Sequence, residues 1–373
     1  MTKIPSKKPG GKGDNPPIFS HEFIRKNHGD ILSCACMVVF VMIMFQATNH
    51  IGSQFIFIHY NETEQEDNAT TVTPSGRVQD KAIQTFYRHG PKDAINVLFY
   101  SVLWIIIHAV VHEYIWERTA RKLHLSKTKH HKYYDSGFLI VFYLLSLVWG
   151  CNIIFNEGYL IDVTQLWNDF PHDMMKFGIK FFMLNQMAFW LHCYPELYFM
   201  KAKKEDIPSK LLHYTSLLLL IAGAYSGRLQ RLMLVLLMLH YLVELSFHLS
   251  RLLHYHQKKE IASMGFTCWH VLSVVCRLGT VVLSVITLQF GLKKVEHDNI
   301  DEDVEVPFYE TSLYRTCCLA VLLLFQAILG WNFVSYQLSR RGEDAGAEQV
   351  KIKQPVATRK NKGGKNSDAK KKN

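Results

Sequence analysis

Apolar positions along this chain come in long unbroken runs rather than in stripes or alternation. Residues 31–48, 94–114, 138–155, 177–199, 232–250, 266–290 and 313–337 are apolar at most positions and are separated by charged clusters. A helix crosses a hydrocarbon core with roughly 17–25 mostly apolar residues, so each run predicts a transmembrane helix. An eighth run, 211–225, is shorter and is followed at once by Arg228 and Arg231. The pattern predicts an all-α, polytopic membrane protein of about eight spans. Residues 211–250 are read as two spans, with a re-entrant hairpin as the alternative.

Composition agrees. Of the 373 residues, 49% are hydrophobic and 13% aromatic, with a formal charge of +10, a balance that argues against a soluble domain. The first thirty residues are polar and basic, and no small-residue cleavage site follows the first run, so that run is expected to act as its own targeting signal. The eight cysteines (34, 36, 151, 193, 268, 276, 317 and 318) fall within or at the edges of runs. They read as small packing residues, not as a disulfide framework. Palmitoylation of Cys34 or Cys36 is the alternative.

Charge sets the orientation, because basic loops stay cytosolic. With a cytosolic N-terminus and eight spans, 30 of the 42 Lys and Arg fall on the cytosolic side and nine on the other, while Lys180, Arg277 and Arg315 lie in spans. Arg228 and Arg231 run against the bias. Two sequons, Asn61-Glu62-Thr63 and Asn68-Ala69-Thr70, fall in a loop on the non-cytosolic side, which marks Asn61 and Asn68 as glycosylation candidates. The chain ends "KKKN", placing Lys370 and Lys371 as a dilysine signal for retrieval to the endoplasmic reticulum, with both termini cytosolic. The tails, 1–17 and 341–373, are Lys-, Gly- and Ser-rich and are expected to stay disordered. Their charge suits anionic lipid or ribosomal RNA without specific nucleic-acid recognition. The segment "YLIDVTQLWNDFPHDMMKF" is amphipathic, with Trp167 and Phe170 suited to the interface.

Ionisable groups at bilayer depth are costly and mark candidate sites. His240, Glu244 and His248 are spaced by four and share one helix face, with Arg251 beyond them. His192 and Glu196 are likewise four apart, and the second run carries His108, His112 and Glu113. Lys180, Asn185, Gln186, His213, Arg277 and Gln326 complete the set. A zinc site and a catalytic acid/base pair are both considered. The most economical reading is an intramembrane polar seam of His192, Glu196, His213, His240, Glu244 and His248, without metal or cofactor, because the groups are spread over several spans.

Several stretches carry a family resemblance. "IIIHAVVHEY", "SKTKHHKYYDSG", "WLHCYPELYFMKAKKEDIP", "IAGAY" and "LHYLVELSFHLSRL" resemble, in order, segments of the translocating-chain-associated membrane protein family. The resemblance runs from about residue 19 to about residue 336. It implies an eight-span glycoprotein beside the Sec channel and its ribosome in the endoplasmic reticulum membrane, helping signal sequences and transmembrane segments into lipid. Asn61 takes the position of the family's usual glycan. Residues 131–338 also look like a TLC domain, the fold shared with ceramide synthases. The expected organisation is a basic tail (1–30), a two-span region with the glycosylated loop (31–130), a six-span TLC domain (131–338) and a second basic tail (339–373).

Against the synthase pattern, Asp206 and His213 match, but Tyr214 replaces the second histidine of the pair. Further on His240 is kept, Tyr241 and Glu244 stand at the two aspartates, and Arg251 at the lysine. A general base needs a partner that holds and tunes it, so the expectation is no catalytic residue and a non-enzymatic translocon accessory. The alternative is a lipid enzyme, or a binder of sphingolipid or acyl chains, using His213, His240 and Glu244. No internal repeat favours a transporter.

Overall fold

The computed structural model describes residue 17 and residues 20–64, 84–125, 127–295 and 311–353. Asn68, Lys370, Lys371 and most of the acidic stretch after residue 295 lie outside the described residues. The chain is helical almost throughout. After the short α1 (His21–Lys26) come α2 (His28–Met44), α3 (Asn49–Ile56), α4 (Asp93–Val111), α5 (Glu117–Lys122), α6 (Lys127–Glu157) and α7 (Phe177–Phe199). Then follow α8 (Ile207–Ser226), α9 (Gln230–Tyr255), α10 (Lys259–Val285) and α11 (Ser312–Lys353). A π-turn over His112–Trp116 joins α4 to α5, and another over Ile286–Gly291 extends α10.

Helices occupy all eight expected runs. Six are long and apolar enough to cross a membrane on length and composition. The two that fall short do so for different reasons. Helix α2 has 17 residues, at the lower limit for a span. Helix α7 has 23 residues but carries Lys180, Asn185, Gln186, His192 and Glu196, which lower its hydropathy and point into the bundle. Helices α8 and α9 are each span-length, at 20 and 26 residues, which favours two spans over a re-entrant hairpin.

The bundle buries several polar groups within an apolar, aromatic core and keeps its outer face apolar. Lys180, Gln186, His192 and Glu196 are buried, while Leu144, Leu145, Val148, Val271, Val274, Val275 and Leu278 are exposed. An apolar outer face suits a lipid solvent, in which packing rather than hydrophobicity must hold helices together. Helix α10 shows the device. It turns Ser273, Cys276, Thr280 and Ser284 inward, and Gly265 lets its backbone approach Ser250 of α9 so closely that a Cβ would collide. Gly150 of α6 does the same against Met238 of α9.

One end of the bundle collects the loops that carry Asn61. Strands β1 (Asn61–Glu64), β2 (Gln84–Tyr87) and β3 (Met175–Lys176) form a small antiparallel sheet in the order β1-β2-β3, with Asn61 opposite Tyr87 and Phe86 opposite Lys176. At the same end the turn between α8 and α9 is pinned by the loop before β3. Arg228 pairs with Asp173, and Arg231 donates to the carbonyls of Gln165 (2.8 Å) and Asn168 (3.1 Å). The His172 ring lies between the carbonyls of Arg228 (3.1 Å) and Asn168 (3.0 Å). The two arginines that run against the charge bias thus serve as clamps on this end.

Lys180 is the deepest clamp. Its side chain is fully buried, and Nζ meets Asp93 Oδ1 at 2.9 Å and donates to the carbonyls of His59 (2.9 Å) and Arg88 (2.6 Å). Asp93 in turn accepts from Tyr225 Oη at 2.7 Å and from the amide of Gly90 at 3.0 Å. One buried ion pair therefore joins the loop after α3, the start of α4, α7 and α8.

The chain divides into two compact units, one up to Leu322 and one from Leu323 onward. The second contains the remaining length of α11, on which Trp331, Val334 and Leu338 are exposed.

Candidate functional site

Helices α7, α8 and α9 position the polar seam. The structure sorts its six residues into two groups. His213, His240, Glu244 and His248 form the first, between α8 and α9. Helix α8 starts where Asp206, exposed at the N-cap, is followed by Ile207 and Pro208, a residue preorganised for a first helical turn. Two turns on, the His213 ring stands edge-on to Trp190 with centroids 5.4 Å apart, and 6.3 Å from the His240 ring. Glu244 lies one turn beyond His240, with Oε2 3.9 Å from His248 Nε2. His248 Nδ1 meets Ser136 Oγ at 3.2 Å.

The residues that depart from the synthase pattern have structural places. Tyr241 is fully buried, donates to Gln186 Oε1 at 2.9 Å and accepts from Trp190 Nε1 at 3.2 Å. Gln186 passes the chain on to Ser146 Oγ at 3.2 Å. A phenol that accepts from an indole and donates to an amide is a core hydrogen-bond relay between α9 and α7, which Gln186 extends to Ser146 of α6. Tyr214 turns away from His240 and lines a separate cavity. Arg251 lies over the Phe247 ring at 5.9 Å.

That cavity, of about 50 Å³, belongs to the second group. His108, His192 and Glu196 line it with Asp135, Lys210 and Tyr214. Glu196 Oε2 is 3.5 Å from His108 Nδ1, and its Oε1 is 4.0 Å from Nε2 of His28. The His108 ring stacks on Phe138 at 3.9 Å and the His28 ring on Phe199 at 4.2 Å. His28 had no signal in the sequence: it lies in the stretch read as a tail, and it enters the site because α2 begins there. Among the described residues, no group of three His, Cys, Asp or Glu is arranged to hold a metal ion.

A third polar feature opens on the apolar exterior. Trp104 of α4, Ser146, Trp149 and Asn152 of α6, and Asn185 and Gln186 of α7 line a cleft of about 520 Å³. Its outer rim carries the exposed Leu145 and Val148, so an amide-bearing floor is reached from the lipid side.

Comparison with known proteins agrees with this architecture. The profile of TLC domains matches residues 132–335. Translocating chain-associated membrane protein 2 of Homo sapiens is 38% identical over 343 residues, which covers 92% of this chain and 88% of the human protein. The Mus musculus protein of the same name is 40% identical over 322 residues, 86% of this chain and 82% of its own. Ceramide synthase 4 of Bos taurus is 25% identical over 147 residues, 39% of this chain and 37% of the bovine one. The fold and these matches define an all-α, multi-pass membrane protein with a TLC domain. The chain belongs to the translocating chain-associated membrane protein family.

Proposed function

We propose that this protein is a non-enzymatic accessory of the endoplasmic reticulum translocon, one that helps signal sequences and transmembrane segments pass from the Sec channel into lipid. The observation that carries the reading is the match along nearly the whole chain to proteins named for translocating chains, against a much shorter one to a ceramide synthase. Its physical support is the cleft floored by Asn152, Asn185 and Gln186. A marginally apolar segment brings polar groups into lipid at several kcal/mol each. The exposed Asn152 amide and the part-buried Asn185 amide beside it give such groups partners on the way, and Sec channel, ribosome and nascent chain are the partners this requires. Copurification of the channel and ribosomes with the full-length protein in mild detergent tests it, and absence of both would overturn it.

The topology that goes with this reading puts both termini in the cytosol, with Lys370 and Lys371 directing retrieval and the Asn61 end in the lumen. Asn61 is exposed on β1, as a glycan requires. Asn61→Gln is expected to remove most of the endoglycosidase-sensitive mobility shift, with Asn68→Gln changing little. A wild type with no shift would overturn this topology.

The second reading, a lipid acyltransferase or acyl-chain binder, is favoured by the proximity of the His213 and His240 rings with Glu244 one turn on. Purified wild type, given a labelled acyl-CoA and a long-chain base, is expected to show no transfer above the level of a His213→Ala variant. In the same variant, crosslinking of nascent signal helices is expected to fall, with Glu244→Gln milder because an amide costs less to bury than a carboxylate. Turnover in the wild type that disappears in His213→Ala would replace the accessory reading.

A further inference from the structure

The small cavity beside Glu196 gathers buried polar atoms that lack hydrogen-bond partners among the described residues. Glu196 is 6% exposed and neither of its carboxylate oxygens has a hydrogen-bond partner among the described residues. The histidines around it are oriented by backbone carbonyls. His28 Nδ1 lies 2.8 Å from the Arg25 carbonyl, and His192 Nδ1 contacts the Phe189 carbonyl. A carbonyl can only accept, so in each ring Nδ1 carries a proton. Both Nε2 atoms are buried without a partner. A buried carboxylate whose two oxygens lack a hydrogen-bond partner calls for a cationic donor.

We propose that this cavity binds the primary ammonium of an ethanolamine phospholipid head group, drawn from the leaflet at this end of the bundle. An ammonium brings three N–H donors and a full positive charge to that carboxylate, and a volume of about 50 Å³ suits a group of that size. The rim suits the phosphate that follows. His131 lines it, and Lys210, held by Asp135 at 2.6 Å, has two further N–H donors to offer. The depth is that of head groups: Glu196 lies in the last turn of α7, and His28 is the first residue of α2. A lysine of a passing polypeptide carries the same ammonium but no phosphate for the rim, so the lipid is the better fit. This inference is independent of the translocon reading.

The test uses the delipidated full-length protein and native mass spectrometry, with dioleoyl phosphatidylethanolamine, its N-methyl and N,N-dimethyl forms, and phosphatidylcholine at equal concentration. Occupancy is expected to fall stepwise as N–H donors are removed, with ethanolamine favoured over choline on the order of tenfold. In Glu196→Gln, which keeps the side chain's volume, the preference should shrink to roughly twofold or less as the charge-assisted bonds are lost. If that variant does not fold, the wild-type methylation series decides alone. Equal binding of all four lipids overturns the proposal. So does a tightly retained divalent metal that blocks lipid binding, or displacement of the lipid by a lysine-bearing signal peptide without any head-group preference.

Discussion

Lys180→Met is expected to destabilise the protein by about 3–5 kcal/mol, the range for breaking a buried ion pair by removing one partner. Methionine fills much of the same space but leaves Asp93, 4% exposed, as an uncompensated carboxylate. It also strips the His59 and Arg88 carbonyls of their donor. The damage falls on four segments at once, because the pair holds the loop after α3 and the starts of α4 and α7 together, and Asp93 continues to Tyr225 on α8. Lys180→Arg is expected to fail as well, since a planar fork cannot reproduce three contacts built around one nitrogen. The double change Lys180→Met with Asp93→Leu should recover part of the loss, because removing both charges avoids the unpaired one. Thermal unfolding of the purified variants in one detergent reads all three. If Lys180→Met melts with the wild type, the pair contributes nothing net, and the clamp at this end rests on Arg228 and Arg231.

Much of the fold could be read from the pattern of apolar runs because a lipid solvent imposes one rule: a span satisfies its own backbone and turns apolar side chains outward. The runs at 94–114, 138–155, 232–250 and 266–290 all become helices at the expected places. The weak run at 211–225 becomes a helix of 20 residues. Its start at Ile207 takes in Ile207 and Pro208, which an apolarity pattern undervalues. The site was harder to read. Spacing by four puts His240, Glu244 and His248 on one helix face, but it cannot show which neighbouring helix that face meets. Only packing separates Tyr214, turned to the Glu196 cavity, from His213 beside it, turned to α9. His28 could not be found this way, since its contact with Glu196 joins residues 168 positions apart in sequence. Lys180 stands out in any sequence reading as a charge in a span. Its role is set by two loop carbonyls, which no side-chain pattern reports.

The same limit applies to Tyr241, and it leads to the second large expected effect. Putting aspartate there, as the ceramide synthase resemblance would have it, is expected to cost the protein about 3–5 kcal/mol rather than give it an activity. The ring is fully buried, packed against Phe142 at 5.5 Å and Tyr143 at 5.1 Å, and its hydroxyl bridges the side chains of Trp190 and Gln186 on α7. A carboxylate would empty most of the ring's volume and bring a charge into an aromatic core. Tyr241→Phe separates the two parts of that cost. It keeps the ring and removes only the hydroxyl, leaving Trp190 Nε1 and Gln186 Oε1 unpaired, for about 1–3 kcal/mol. Adding Tyr214→His to Tyr241→Asp restores the second histidine and the first aspartate of the synthase pattern while Glu244 and Arg251 stay, yet Tyr214 faces the Glu196 cavity and not His240, so the pair is expected to remain inactive. The measurement is acyl transfer by the double variant beside its melting temperature and that of Tyr241→Phe. Transfer appearing in a folded double variant would mean that the acyltransferase frame survives here intact, and that two substitutions alone separate this chain from an enzyme.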